Sequence, residues 1–354
     1  MSILSKTYFH IEADAFAHLE AIVWPEGKPV CPHCGTIDNA GKLKNVKPRR
    51  KVKDEEGNHK VDENGELMWK YSPERIGLYK CREKLCRKQF TVRVGTVFES
   101  SHVPLTKWLQ AAHLLMSSKK GISAKQLERT LEVTYKTAWF MAHRLREAMA
   151  AGNMPPMGGT GAVVEADETY IGNKYTAEQR KELTYYKRTP DGKLKKITQR
   201  GYGHKHTVVS LVERGGNVRS FHVASATKKT VGRILHENVD RRSRLMTDES
   251  KIYGQVGSTY ADHETVKHKN NEYVRGEAYT NTIEGYFSIF KRGMKGIYQH
   301  CSEKHLHRYL AEYDFRYNNR ERLGVNDMER TEAALAGIVG KRLTYRSIDR
   351  RAAG

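Results

Sequence analysis

Acidic residues lie in three segments, far apart along the chain, whose apolar content predicts burial. Asp248 ends the strand-like segment SRLMTDES, and Glu165 and Asp167 share one face of a second predicted strand, AVVEADETYIG. Glu284 lies in the first turn of a predicted helix, TNTIEGYFSIFKRG, away from its apolar stripe. A carboxylate in an apolar strand is costly unless a cation neutralises it, so these acids predict a divalent-metal site.

Two hard cations held by such carboxylates suit in-line phosphoryl transfer. They would activate a water or a 3′-hydroxyl and stabilise the leaving oxygen. Lys291 lies two turns after Glu284 on the same predicted helix face, where its ammonium would hold a phosphate. The alternative for Asp248 is a strand-end residue that only caps the following turn.

Four cysteines form two close pairs in the N-terminal part of the chain. Cys31 and Cys34 lie in CPHC, and Cys81 and Cys86 have four residues between them. Two such pairs offer four thiolates to one ion, which predicts a closed structural zinc site. His33, inside the first pair, is a weaker candidate ligand, and four unrelated buried thiols are the alternative.

The chain divides by composition into consecutive parts, and its fold class is α+β or α/β with several domains. Strands followed by a β/α alternation predict a mixed sheet with flanking helices. The predicted parts are a zinc-ribbon segment (1–100), a helix-turn-helix region (101–151), a linker rich in Gly and Pro (152–161), a catalytic domain (162–325) with a basic insert (173–205), and a basic C-terminal tail (326–354).

The helix-turn-helix prediction rests on two apolar stripes around a turn near Glu132 and Val133. The start of the second helix would read bases, and nearby arginines, Arg144 above all, would neutralise phosphates. A plain structural helix pair is the alternative. The predicted base-reading residues are Thr134, Tyr135, Lys136 and Thr137.

The net charge of the 354-residue chain is +21, which favours a polyanionic partner. The insert has ten Lys and Arg against three acids, with tyrosines between them, a pattern that suits backbone neutralisation and base stacking. A solvated basic loop is the alternative for the insert. The DNA contacts predicted in the insert and the later helices are Lys187, Arg188, Lys195, Lys196, Arg292, Arg308, Arg316 and Arg320.

The remaining sequence signals are negative. No apolar run approaches the roughly 20 residues needed to cross a bilayer, and the N-terminus lacks signal-peptide features, so we expect a cytoplasmic protein without a membrane partner. His204 and His206 share a predicted strand face, but no acidic partner lies near them in the sequence. We therefore expect them to be ordinary satisfied or exposed histidines.

Several blocks of the sequence resemble one known family. They are CPHC with the later cysteine pair, VEADETYIG, LMTDES, NTIEGYFSIFKRGMKGIYQH and KHLHRYLAEYDFRYNNR. With them the chain resembles insertion-sequence transposases of the zinc-ribbon DDE group, the ISXO2-like group related to Merlin transposases. The resemblance extends over nearly the whole chain.

This resemblance implies an RNase H-like catalytic domain that acts on terminal inverted repeats of double-stranded DNA with two Mg²⁺ or Mn²⁺ ions. It implies that Asp167, Asp248 and Glu284 are the catalytic triad, assisted by Lys291. Asn281 stays open as an alternative third residue, and Glu165 as a rival to Asp167. The mechanism requires two element ends, so we expect a homodimer or larger assembly on bacterial nucleoid DNA.

Two other functions remain open from the sequence. One is a DNA-binding regulator that uses the zinc ribbon and the helix-turn-helix without catalysis. The other is an RNase H-like nuclease that cleaves DNA without strand transfer. The third carboxylate with its matched lysine favours the transposase, because a regulator needs neither.

Overall fold

The chain folds into two units, each assembled from separate stretches of the sequence. The computed structural model describes residues 3–152, 154–172, 184–198, 205–266 and 274–344. Unit 1 comprises Met1–Leu114, Glu128–Ala148 and Thr331–Gly354. Unit 2 comprises Leu115–Leu127 and Met149–Arg330.

The N-terminal part of unit 1 combines one helix with short antiparallel strands. Strands β1, β4 and β5 form one sheet, and β2 pairs with β3 in another. Trp24 packs edge-on against Tyr79 and Phe90, whose rings stack with centroids 5.8 Å apart. The elements are α1 (Glu12–Val23), β1 (Ala40–Lys42), β2 (Arg49–Lys51), β3 (Trp69–Tyr71), β4 (Tyr79–Cys81) and β5 (Gln89–Phe90).

Three helices follow, which are α2 (Leu105–Ser117), α3 (Ala124–Leu131) and α4 (Tyr135–Met149). The turn between α3 and α4 has Glu132 at φ 50°. Thr134 caps α4, because its Oγ1 accepts a hydrogen bond from the Thr137 amide at 3.3 Å. The stripe predicted for the second helix is buried and consists of Ala138, Met141, Ala142 and Leu145. A role of this helix pair in DNA binding stays a prediction.

Unit 2 is built on a five-stranded mixed sheet with the order β10-β9-β6-β11-β12. Strand β6 lies at its centre, antiparallel to β9 and parallel to β11, while β10 is antiparallel to β9 and β12 parallel to β11. The predicted mixed α/β architecture is confirmed. The strands are β6 (Val163–Ile171), β9 (His206–Glu213), β10 (Val218–Val223), β11 (Arg244–Asp248) and β12 (Asp262–Val266).

Two hairpins accompany this sheet. Part of the basic insert forms one of them, from β7 (Thr184–Arg188) and β8 (Leu194–Thr198). Strands β13 (Val274–Arg275) and β14 (Ala278–Tyr279) form the other. The rest of the insert, at 173–183 and 199–204, lies outside the described residues.

Helices cover both faces of the sheet. They are α5 (Lys228–Asn238), α6 (Gly254–Gly257), α7 (Asn281–Gly293) and α8 (Glu303–Asn318), and α9 (Asp327–Ala336) comes later in the chain. A π-helical turn, Met294–Tyr298, extends α7. Among the described residues, no helix combines the length and apolar content needed to span a membrane.

Alternation along the strands sends apolar side chains to both faces of the sheet. On one face, Val164 and Leu211 pack with Leu235 of α5. On the other, Val208 packs with Phe290 of α7 and the rest of a second cluster. Each fully buried residue of this kind contributes about 1.5–3 kcal/mol. The second cluster therefore fixes α7 and α8 on the sheet face that also carries Asp167, and the first fixes α5 on the opposite face.

A buried carboxylate joins α7, α8 and β10. Asp314 of α8 accepts hydrogen bonds from the Ser220 amide at 2.8 Å, from Ser220 Oγ at 2.7 Å and from the Tyr286 hydroxyl at 2.5 Å. Burial raises the pKa of Asp314 to about 6, although all three hydrogen bonds oppose this rise. Ionised Asp314 is therefore a cost to the folded state at neutral pH.

The stability of unit 2 should fall as the pH rises from about 4 to about 6. The folded pKa lies above the usual value of 3.8, so the favourable protonated state is lost across that window. The expected loss is about 3 kcal/mol in the free energy of unfolding, and Asp314→Asn should abolish this part of the pH slope. Urea unfolding of both proteins at several pH values measures it, and parallel pH profiles would contradict the prediction.

Candidate functional site

The cysteines predicted as zinc ligands converge in unit 1. Cys31 Sγ lies 3.8 Å from Cys86 Sγ, and Cys34 Sγ lies 3.7 Å from Cys81 Sγ. All four sulfur atoms lie within 4.8 Å of one another. A tetrahedral zinc with Zn–S bonds of about 2.3 Å requires sulfur atoms about 3.8 Å apart. The cluster therefore fits a structural zinc ion.

His33, the weaker candidate, is exposed and does not belong to this cluster. The first cysteine pair lies in the turn after Val30, which pairs with Ile37 in an isolated antiparallel bridge. The second pair begins where β4 ends. Each pair thus follows extended backbone that directs its sulfur atoms towards one point.

The strand register brings Asp167 and Asp248 to neighbouring positions. Met246 of β11 pairs with Glu165 of the parallel strand β6, and both aspartates lie two residues further along. They therefore share one sheet face. Glu284 lies in the first turn of α7, the helix packed on that face.

The pKa of Asp167 responds to the charges of the other acids. Burial first, and then the negative charges of Glu168, Asp248 and Glu284, together raise the pKa of Asp167 to about 8. The Glu168 amide opposes the rise, donating to Asp167 Oδ1 at 2.7 Å. The site concentrates negative charge that a cation would neutralise. Its oxygens do not form a group as tight as the sulfur cluster, whose atoms all lie within 4.8 Å.

Glu165, the rival to Asp167, has other partners. Its carboxylate is fully buried and accepts hydrogen bonds from Arg214 Nε at 2.7 Å, Thr282 Oγ1 at 2.8 Å and the Ile283 amide at 2.9 Å. The last two donors belong to the first turn of α7. Glu165 therefore neutralises Arg214 and ties the start of α7 to β6, which favours Asp167 as the metal ligand.

Arg214 extends this connection to the β14 hairpin. Its Nη1 and Nη2 donate to the carbonyl oxygens of Glu277 at 2.8 Å and Tyr279 at 2.7 Å. Its guanidinium also lies 3.5 Å from the centroid of the Tyr279 ring. These contacts fix the segment immediately before α7, and with it the position of Glu284. We call Glu165, Arg214 and the first turn of α7 the α7 clasp.

The structure also gives the hydrogen-bond partners of Glu168 and Asp248 and the exposure of Lys291 and Asn281. Glu168 lies on the opposite sheet face, where its Oε2 accepts a hydrogen bond from the Tyr253 hydroxyl at 2.8 Å. Asp248 Oδ1 accepts from the Ser250 amide at 3.0 Å. Lys291 and Asn281 are both exposed on α7. Lys291 follows Glu284 by two turns, as expected.

The predicted DNA contacts fall into three groups by exposure. Thr137, Arg308 and Arg320 are partly buried, and the side chain of Lys196 lies outside the described residues. Arg144 and Arg316 are buried, with 6% and 8% exposed. The exposed residues are Thr134, Tyr135, Lys136, Lys187, Arg188, Lys195 and Arg292.

The two buried arginines act inside their own units. Arg144 donates to the carbonyl oxygens of Glu99 at 2.9 Å and Leu343 at 3.2 Å. Arg316 forms an ion pair with buried Glu312 at 2.6 Å and donates to the Leu115 carbonyl at 2.5 Å. Both guanidiniums are buried and bound to these partners inside the protein, so we do not retain them as DNA contacts.

Sequence reasoning missed Arg214 and Asp314, whose partners lie far away in the chain. Arg214 follows strand β9 in VERGG, where a basic residue after a strand resembles any exposed turn residue. Its location immediately before two glycines gives no signal of a buried carboxylate partner in β6. The contact depends on tertiary packing alone.

Comparison with known proteins gives two family matches and one curated relative. Residues 158–318 match the ISXO2-like transposase domain, and residues 11–52 match the transposase zinc-ribbon domain. The relative, from Halobacterium salinarum, is described as an uncharacterized protein in transposable element ISH50. It is 29% identical over 246 residues, which are 67% of this chain and 77% of the relative. These matches confirm the resemblance predicted from the sequence.

Neutralising the two neighbouring carboxylates of β6 should have opposite effects on stability. Glu165→Gln leaves Arg214 without its charged partner and should lower the free energy of unfolding by about 2–4 kcal/mol. Asp167→Asn replaces a carboxyl whose ionisation the folded state opposes, and should raise the free energy of unfolding by roughly 1–2 kcal/mol without added divalent metal. Urea unfolding at neutral pH compares them, and equal losses in both variants would contradict the α7 clasp.

Proposed function

We propose that this chain is a DDE transposase of an insertion sequence, of the ISXO2-like, zinc-ribbon group whose domain models match residues 158–318 and 11–52. It binds the terminal inverted repeats, cleaves the element ends and transfers the freed 3′-hydroxyl to target DNA. Its catalytic domain is RNase H-like, which the mixed sheet of unit 2 with helices on both faces supports.

One observation carries the catalytic part of this proposal. Asp167 lies in a field to which Asp248 and Glu284 both contribute, although the three residues come from β6, β11 and α7. Such convergence of acids costs the folded protein stability, and perturbed carboxylates of this kind cluster at functional sites. A divalent cation bound by these carboxylates would neutralise the negative charge that they accumulate.

The donor set suits Mg²⁺ or Mn²⁺, because all three groups supply carboxylate oxygens. Asp167, Asp248 and Glu284 would hold two ions. When bound, the ions supply the activation of the attacking hydroxyl and the stabilisation of the leaving oxygen. The chain itself keeps Glu284 on a helix whose start is fixed by the α7 clasp, and Lys291 offers a positive charge to a nearby phosphate.

The exposed basic residues supply DNA contacts on this proposal. The start of α4 presents Thr134, Tyr135 and Lys136 to solvent, as a base-reading helix would. The insert hairpin presents Lys187 and Arg188, which suits backbone neutralisation. A homodimer or larger assembly on nucleoid DNA in the bacterial cytoplasm follows from the need to hold two element ends.

Asp248→Asn should reduce cleavage of element-end DNA in Mg²⁺ by at least 100-fold, because a neutral amide weakens the negative field that holds the ions. Glu284→Gln should have a similar effect, and Asn281→Ala should retain activity. The matched control is Asp262→Asn, which changes an exposed acid in the same sheet. A gel assay with labelled end DNA and target DNA separates cleaved from joined products.

The outcomes separate the three functions. Loss of cleavage and joining in the triad variants, with the control active, supports the transposase. Metal-dependent cleavage without any joined product indicates a nuclease. Binding without cleavage by the wild-type protein indicates a regulator, and a strong loss in Asn281→Ala alone would move the third catalytic position.

Replacing Lys187 and Arg188 together by Ala should weaken DNA binding uniformly across sequences. It should also lower the slope of log Kd against log salt by about 2, one unit for each lost phosphate contact. Lys28→Ala is the control, since Lys28 is exposed in unit 1 and pairs with Glu26 at 2.8 Å. Fluorescence anisotropy at several salt concentrations measures both, and an unchanged slope in the double variant would remove the hairpin from the DNA surface.

A further inference from the structure

A second group of metal-ligating side chains lies in unit 2, apart from the acids. His206, His222 and Glu303 place one ligand atom each within 4.8 Å of one another. His206 Nδ1 lies 3.9 Å from Glu303 Oε1, and His222 Nε2 lies 3.7 Å from the same oxygen. The two rings cross at 76° with centroids 5.7 Å apart. Both imidazoles thus direct a nitrogen towards one carboxylate oxygen.

The sheet register explains why the two histidines meet. Val208 of β9 pairs with His222 of β10, and His206 lies two residues before Val208 on the same strand face. The histidines are therefore diagonal neighbours on one face of an antiparallel pair. Glu303, the first residue of α8, reaches them from the helix packed on that face.

The burial of the three side chains suits a metal site in which the two histidines are fixed and the glutamate can move. The side chains of His206 and His222 are 6% and 18% exposed, whereas that of Glu303 is 56% exposed. A tetrahedral ion with bonds of 2.0–2.1 Å requires ligand atoms about 3.3 Å apart. The two distances from the histidines to Glu303 are about 0.4–0.6 Å larger than this, and rotation of the exposed glutamate can close them. The histidines need not move far from the strands that fix them.

We propose that His206, His222 and Glu303 form a second zinc-type site in this chain, separate from the cysteine cluster. Two imidazoles and one carboxylate favour Zn²⁺ over Mg²⁺, because magnesium prefers oxygen ligands. Three protein ligands leave a fourth position for water. The bound ion would join the start of α8 to β9 and β10. Strand β9 is the first strand of the sheet after the basic insert.

This site is distinct from the proposed catalytic acids. His206 pairs with Ile171, which lies four residues beyond Asp167 on β6. That separation corresponds to roughly 13 Å along the strand. Loss of the second site should therefore change zinc content without removing the carboxylates that define the catalytic proposal.

The test is the zinc stoichiometry of the full chain after saturation with Zn²⁺ and gel filtration. The wild-type protein should retain two zinc ions per chain by mass spectrometry of the metal. Glu303→Gln and His222→Gln should each retain one. His59→Gln, which changes an exposed histidine in unit 1, should retain two.

Cobalt substitution shows whether the variants remain folded at the zinc ribbon. The intense thiolate-to-cobalt band should persist in Glu303→Gln, and the weaker absorption from a second cobalt equivalent should disappear. One zinc ion in the wild-type protein, or two in both variants, would overturn the proposal. Because Glu303 is exposed, its conservative replacement tests the site even if His222→Gln fails to fold.

Discussion

Glu165 and Asp167 lie on the same face of β6, but their surroundings differ, and the arrangement of unit 2 around α7 depends on this difference. Glu165 is fully buried, yet Arg214 and the first turn of α7 supply three hydrogen bonds to it. Asp167, two residues later, has a raised pKa because burial and neighbouring acids oppose its charge. The first acid positions α7, and the second is a carboxylate that the proposed divalent cation would bind. The buried ion pair of Glu165 and Arg214 thus holds α7, and Glu284 with it, at the proposed metal site.

In the zinc ribbon of unit 1, a bound metal ion would also stabilise the fold. The N-terminal strands of unit 1 have two or three residues each, too few to stabilise a sheet by themselves. The sulfur spacing of 3.7–3.8 Å fits one tetrahedral ion, which would link the turns that these strands cannot hold. The proposed site at His206 uses the same principle to join a helix start to strand ends.

The sequence predicted features that depend on local period and missed those that depend on distant partners. Strand alternation identified Asp167 together with its rival Glu165, but only the approach of Arg214, 49 residues later, distinguishes them. The helical period of the sequence correctly predicted the buried stripe of α4. It could not show that the long side chain of Arg144 turns inward and donates to the Glu99 carbonyl. His206 was expected to be ordinary because its acidic neighbour, Glu303, is remote in the sequence. The cysteine pairs were the easiest to predict, since their spacing alone suggests the site.

The most direct measurement of the central claim is the location of Mn²⁺ by anomalous X-ray diffraction from crystals of the protein bound to element-end DNA. Manganese peaks are expected within bonding distance of Asp167, Asp248 and Glu284, with Glu165 still bound to Arg214. Manganese coordinated by Glu165, or no peak near these three carboxylates in a DNA complex that cleaves, would contradict it.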